Sequence, residues 1–258
     1  VEAATVLLLV GAGLAGGVIT AIVGGSSLLT FPALLAAGLP PILANSSSTV
    51  AMTPSTLAAA VADRESIPAW NRGFAAMTVV AFAGSVAGAW LLLWTPEAAF
   101  TGLVPALVGG ATALFAYADH IKRLALRHAS RLVDDDAPGH VARLAMIAPI
   151  AVYGGYFGAA MGVMLLSVLA LGRDADFRRI NAVKNLLGTL IGLVAAAIFV
   201  WRGAVAWPQA LAVMLGALVG GFLGGRLVRV LPPGLLRSIV IVVGSGLALY
   251  YAWRYWRV

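Results

Sequence analysis

The sequence predicts an all-helical, polytopic membrane protein made of two inverted repeats, each a re-entrant helical hairpin plus three transmembrane helices. Three observations predict it. Of 258 residues, 61% are apolar and only 10% charged, with a mean hydropathy of +0.97, whereas a soluble domain carries about 25% charged residues. Apolar runs long enough to cross a bilayer recur along the chain. The second half also repeats the first. A globule of this length cannot hide so much apolar surface in one core, which excludes a soluble enzyme and a disordered chain alike. The absence of cysteine excludes disulfides, thiolate metal sites and cysteine nucleophiles. The net charge of +7 comes from Arg and Lys between apolar stretches, with no aromatics interleaved. That pattern is a membrane-sidedness signal and implies no nucleic-acid partner.

A hydrocarbon core of about 30 Å takes roughly 20 apolar residues per helix. Such runs fall at 4–23, 42–62, 73–94, 99–118, 141–160, 180–201, 205–226 and 235–256. Two shorter ones, 28–38 and 161–172, follow glycine-rich breaks. Residues 1–38 are too long for one crossing and too short for two, so a span followed by a half-helix turning back inside the membrane is expected. Irregular backbone at that depth needs a cover of protein or a water-filled cavity. All seven Trp (70, 90, 94, 201, 207, 253 and 256) lie at expected span ends, as an interfacial aromatic belt requires. No Lys or Arg precedes the first apolar run, so that run reads as a span and not as a signal peptide. The polar stretch Asp119–Arg143 reads as a solvated linker between halves, the alternative being a metal site on His120, His128 and His140.

An offset of 136 residues aligns the halves without gaps. Asn45 meets Asn181, Thr53 meets Thr189, Gly84 and Gly88 meet Gly220 and Gly224, Pro96 meets Pro232, and Gly110 meets Gly246. The expected division is a first repeat over 1–118, a cytoplasmic linker over 119–140 and a second repeat over 141–258. Such duplication is common in transporters. If each half has an odd number of crossings, the repeats are inverted. Then 13 Lys/Arg lie on one side, three (Arg202, Arg254 and Arg257) on the other, and Lys184 within the membrane. Parallel repeats would split the charges 10 against 6, so the positive-inside rule favours inversion.

Polar groups inside spans mark the candidate site. On the helix over 42–62, Asn45, Ser48/Thr49, Met52 and Ser55/Thr56 share a face by their spacing. Pro54 in that helix removes a backbone hydrogen bond. The equivalent stretch of the second half, Asn181-Ala-Val-Lys184-Asn185, carries an ammonium where the first has Ser48. A lysine in a span costs a few kcal/mol unless it faces a cavity or partner, or snorkels outward; placed with Asn181 and Gly188, Lys184 is expected to serve an anion. The breaks at Gly24-Gly25-Ser26-Ser27 and Gly158–Gly162 would expose half-helix N-termini, whose N–H groups and positive dipole end attract anions. Alternatively, the hydroxyls join helices and the glycines allow close packing. Packing is the expected role of Gly84/Gly88 and Gly220/Gly224. No acidic residue lies near the middle of a span, so neither a carboxylate proton relay nor a metal site is expected.

Gly24-Gly25-Ser-Ser-Leu-Leu-Thr-Phe-Pro32, Gly38-Leu-Pro-Pro41 and the polar stretch from Asn45 resemble the first repeat of the sulfite exporter TauE/SafE family. Gly154–Gly162 and Arg202-Gly-Ala-Val-Ala-Trp207 resemble its second. The resemblance covers essentially the whole chain. This sequence departs from the family pattern at Ala159-Ala160-Met161, where glycines are common, and at Lys184, where Ser or Thr is frequent. The resemblance implies transport of sulfite or a small organosulfonate across the bacterial inner membrane.

The expected function is therefore export of a small sulfur-containing anion through a central site, with no catalysis and no cofactor. The candidate site comprises Gly25, Ser26, Ser27, Asn45, Ser48, Thr49, Gly162, Asn181, Lys184 and Asn185. Convergent donors of this kind suit an oxyanion, which has several acceptor oxygens. The alternatives are an importer of sulfate, thiosulfate or a sulfonate in the same fold, and a non-transporting scaffold subunit. The expected partners are the anion and the lipid bilayer, and a homo-oligomer is compatible with the sequence.

Overall fold

Proline and short polar residues set where the helices start. Pro41 occupies the first turn of the third helix, where its missing N–H costs nothing. The Asn71 side chain accepts the Phe74 N–H at 2.9 Å to cap the fourth, and Asp176 accepts the Arg178 N–H at 2.9 Å to cap the eighth. The computed structural model describes residues 2–22, 26–118, 120, 139–171, 176–227 and 233–256. Among them are ten α-helices: α1 (Ala3–Ile22), α2 (Ser27–Ala36), α3 (Pro41–Ala62), α4 (Arg72–Trp94), α5 (Glu97–Ala116), α6 (His140–Tyr156), α7 (Met161–Ala170), α8 (Phe177–Trp201), α9 (Trp207–Leu227) and α10 (Pro233–Trp256). A 3₁₀ turn, Arg64–Ser66, follows α3. No strand occurs among the described residues. Gly25 and most of the 119–140 linker, His128 included, lie outside them.

Four stretches, Ala3–Thr20, Arg72–Trp94, Glu97–Ala116 and Arg178–Trp201, are long and apolar enough to cross a membrane. The helical bundle turns large apolar side chains outward. Leu7, Val79, Leu215, Phe222, Val242 and Leu249 are between 62% and 74% exposed, an arrangement that a lipid solvent makes favourable and water does not. The chain is a multi-pass membrane protein. Trp90 meets Trp94 and Trp201 with ring centroids 5.5 and 6.1 Å away, and the Arg202 guanidinium sits 5.2 Å over the Trp90 ring. One aromatic cluster with a cation thus joins the ends of α4 and α8.

The helices pack reciprocally. α1 lies against α9 as α4 lies against α6, while α3 pairs with α8 and α5 with α10. Individual contacts give the directions. A Cβ on Gly13 would overlap the Val213 carbonyl oxygen and one on Gly17 the Ala217 carbonyl oxygen, so α1 and α9 run parallel. A Cβ on Gly84 would come within 3.2 Å of the Ala148 oxygen and one on Gly88 would overlap the Val152 oxygen, so α4 and α6 also run parallel. Ser46 bonds Ala204, Thr56 bonds Thr189, and Asp63 bonds Asn181 and Asn185, so α3 and α8 run antiparallel. In α5 and α10, Gly102 meets Trp256 and Gly109 meets Ala248, again antiparallel. The helix-packing role expected of Gly84, Gly88 and Gly220 is what the structure shows. The α4/α6 and α1/α9 pairs approach so closely that a single methyl would strike backbone.

Candidate functional site

The half-helices α2 and α7 both begin beside a cavity of about 150 Å³ enclosed by α1, α3, α6 and α8. The corner before α7 is built by hydrogen bonds. Phe157 N–H and Gly158 N–H both donate to the Tyr153 carbonyl, at 2.8 and 3.1 Å, and the Tyr153 hydroxyl donates to the Ala159 carbonyl at 2.8 Å. Gly158 has φ +75° and Ala160 φ +60°. The left-handed residue Ala160 starts α7 without a side-chain cap, so the first-turn N–H of Gly162, which lines the cavity, has no intrahelical acceptor. At the other corner, Ser26 has helical φ and ψ and caps nothing with its side chain; its carbonyl accepts the Leu29 and Thr30 N–H groups. The Ser26 hydroxyl thus stays with the cavity wall.

Lys184 lines the cavity, and its Cδ lies 3.9 Å from where a Cβ would stand on Gly162. The lysine stem thus runs within van der Waals reach of the α7 N-terminus, and an ammonium-bearing chain shares a wall with a positive dipole end. Asn185, Gly188, Thr189 and Gly192 continue that wall on α8, while Thr49, Met52, Thr53, Thr56 and Ala59 form the facing wall on α3. Thr20 completes it from α1, its hydroxyl oxygen buried and without a hydrogen-bond partner. None of the described lining residues is acidic.

Of the residues singled out from sequence, Ser26, Ser27, Thr49, Gly162, Lys184 and Asn185 line the cavity. Asn45, Ser48 and Asn181 do not. Asn45 Nδ2 donates to the Tyr156 carbonyl at 2.8 Å, Ser48 shares a hydrogen bond of 2.7 Å with Thr30, and Asn181 Nδ2 donates to Asp63 Oδ2 at 3.1 Å. Their polar groups hold helices together, because a buried amide or hydroxyl left unpaired would be costly. The α3 face on the cavity is therefore rotated relative to the expected one. It runs through 49, 52, 53, 56 and 59 instead of starting at 45 and 48. Many α3 hydroxyls also bond their own helix: Thr49 to the Asn45 carbonyl, Thr53 to Thr49, Ser55 to Met52 and Thr56 to Thr53.

Sequence reasoning missed Asp63. Its Oδ2 accepts from both Asn181 Nδ2 and Asn185 Nδ2, the latter at 2.6 Å. Asp63 follows the last residue of α3 and its partners are more than a hundred residues away, so no local pattern pointed to it.

Two half-helices opening onto a polar cavity within an otherwise apolar bundle define a secondary-transporter architecture. The chain belongs to the Sulfite exporter TauE/SafE family, whose sequence model matches residues 9–251. It is similar to a "Probable membrane transporter protein" of Haemophilus influenzae, 24% identical over 236 residues, covering 90% of this chain and 88% of that one. It is also similar to the "Probable membrane transporter protein YfcA" of Escherichia coli K12, 26% identical and covering 89% and 82% of the two chains. The "Probable membrane transporter protein ORF9" of Sinorhizobium sp. is 26% identical, with 90% and 87% covered. No solved structure matches. The chain is thus a membrane transporter of the TauE/SafE type.

Proposed function

We propose that this transporter exports a small sulfur-containing anion, sulfite or an organosulfonate, across the bacterial inner membrane. The carrying observation is the convergence of Lys184, Asn185 and the first-turn Gly162 of α7 on one cavity. An anion leaving water loses its hydration and must be repaid by charge and donors in a fixed geometry. Here Lys184 supplies the charge, Gly162 N–H and Asn185 Nδ2 supply directed donors, and the hydroxyls of Ser26, Ser27, Thr20 and Thr189 surround them. A volume of about 150 Å³ holds on the order of five water-sized groups at ~30 Å³ each, enough for a sulfite or methanesulfonate ion. A scaffold subunit would have no use for such a space.

In this proposal residues 1–118 and 141–258 are inverted repeats joined by a cytoplasmic linker over 119–140. The antiparallel pairing of α3 with α8 and of α5 with α10, which are equivalent at the 136-residue offset, supports that reading. Parallel repeats would place equivalent helices parallel. The two halves rock against each other about the cavity, as alternating access requires.

Flux from proteoliposomes loaded with sulfite or methanesulfonate tests the site. Charge-assisted hydrogen bonds contribute about 1.5–3 kcal/mol, so Lys184→Ala is expected to lower flux by roughly 10- to 100-fold. Asn45→Ala, outside the cavity, should act through stability more than through substrate affinity. Unchanged flux in well-folded Lys184→Ala protein rules the site out. Uptake driven by an imposed ion gradient, with no exit, would establish the importer instead.

A further inference from the structure

The two ends of the α3/α8 crossing are closed by different chemistry. At one end, Ser46 Oγ donates to the Ala204 carbonyl, the Ala206 N–H donates to Ser47 Oγ at 2.9 Å, and Asn45 Nδ2 donates to the Tyr156 carbonyl at 2.8 Å. Each of those bonds has a backbone group on one side. At the other end, two side-chain amides one turn apart on α8, Asn181 and Asn185, converge on a single oxygen of the Asp63 carboxylate. Asn185 also lines the cavity, and so does Ala59, one turn before Asp63 on α3.

We propose that Asp63 is a tethered anion that latches this end of the cavity and that the transported anion releases the latch. The inference rests on the reading of the cavity as an anion site. A carboxylate oxygen and a sulfonate oxygen are equivalent acceptors for the two N–H groups of an amide, so an ion beside Lys184 draws on the same Asn185 amide that holds Asp63. Two like charges brought to one amide also repel, which drives the Asp63 side chain away from α8. The bonds at the opposite end involve only neutral groups, Ser46, Ser47 and Asn45 with backbone, so the ion exerts no such repulsion there. Occupancy by an anion is thereby coupled to opening at the Asp63 end. A neutral ligand of the same shape takes no such effect, which makes Asp63 a specificity-determining residue for charge.

The chain contains no cysteine, so Ala59→Cys introduces one thiol on the cavity wall beside the latch. Its alkylation by a neutral maleimide is followed in purified, full-length protein in detergent, with methanesulfonate as the anion and dimethyl sulfone as its neutral counterpart. We expect Asp63→Ala to raise the labelling rate at least fivefold. Methanesulfonate should accelerate labelling saturably when Asp63 is present, and dimethyl sulfone should not. Asn181→Ala leaves both Asp63 and the cavity wall in place and should give a smaller rise, which guards against misfolding of the Asp63 variant. Equal labelling in all variants overturns the latch. Faster labelling in Asp63→Ala with no response to methanesulfonate overturns release by the anion. If the unaltered protein carries no sulfonate in proteoliposomes while Asp63→Ala still labels faster, the latch stands and the transport reading falls.

Discussion

Residue by residue, glycine carries two distinct jobs that its frequency in the sequence does not separate. A Cβ on Gly88 would overlap the Val152 carbonyl oxygen and lie 2.8 Å from the Tyr156 nitrogen, and neither backbone atom can yield without parting α4 from α6. Gly110 has nothing within 4 Å of the same position. Gly88→Ala is therefore expected to cost about 1–3 kcal/mol, the range for overpacking. Gly110→Ala should be neutral or stabilise by up to ~1 kcal/mol through helix propensity. Melting temperatures in detergent check both, and the order reversed would remove the packing assignment. Both glycines match a partner at offset 136, so the repeat alone could not tell them apart. Asp63 was illegible for a related reason: a carboxylate at a helix end ordinarily faces water, and only the tertiary fold brings Asn181 and Asn185 to it.

At the level of elements, the spans and half-helices were legible because long apolar runs, prolines and glycine breaks fix helix ends independently of packing. The expected run 161–172 became Met161–Ala170, and 28–38 became Ser27–Ala36. Which face of α3 meets the cavity was legible only in part: Thr49, Met52 and Thr56 of the expected stripe line it, whereas Asn45, Ser48 and Ser55 do not. Rotation about a helix axis depends on its neighbours, and in α3 polar residues lie almost all round, so spacing defined a stripe but not its direction. The corner before α7 shows the opposite case. Ala160 holds φ +60°, a region costing a non-glycine residue about 1–2 kcal/mol, at a place where the family pattern favours glycine. Ala160→Gly relieves that strain while adding freedom to the unfolded chain. A net gain of up to ~1 kcal/mol is expected, seen as a higher melting midpoint. A lower midpoint would mean that the Ala160 methyl, 3% exposed as part of the residue, contributes packing worth more than the strain.

For the whole molecule, the field across the membrane matters more than any one contact. The described cavity lining offers a cation from Lys184 and no carboxylate, an arrangement that fits uncoupled movement of an anion. Export can then run on the membrane potential alone. Each negative charge moved out of a negative interior gains about 2.3 kcal/mol per 100 mV, and about 1.4 kcal/mol is a factor of ten. Proteoliposomes held about 60 mV negative inside should therefore drive a singly charged sulfonate toward a roughly tenfold excess outside. Reversing the potential should reverse the gradient. Electroneutral movement with a proton would leave the distribution insensitive to potential and make it follow pH instead. Such a result would place a proton carrier in the pathway, and Asp63, which is bonded to the cavity-lining Asn185, would be one to test. Asp63→Asn should then abolish the pH response, whereas an uncoupled exporter should keep its voltage response in both proteins.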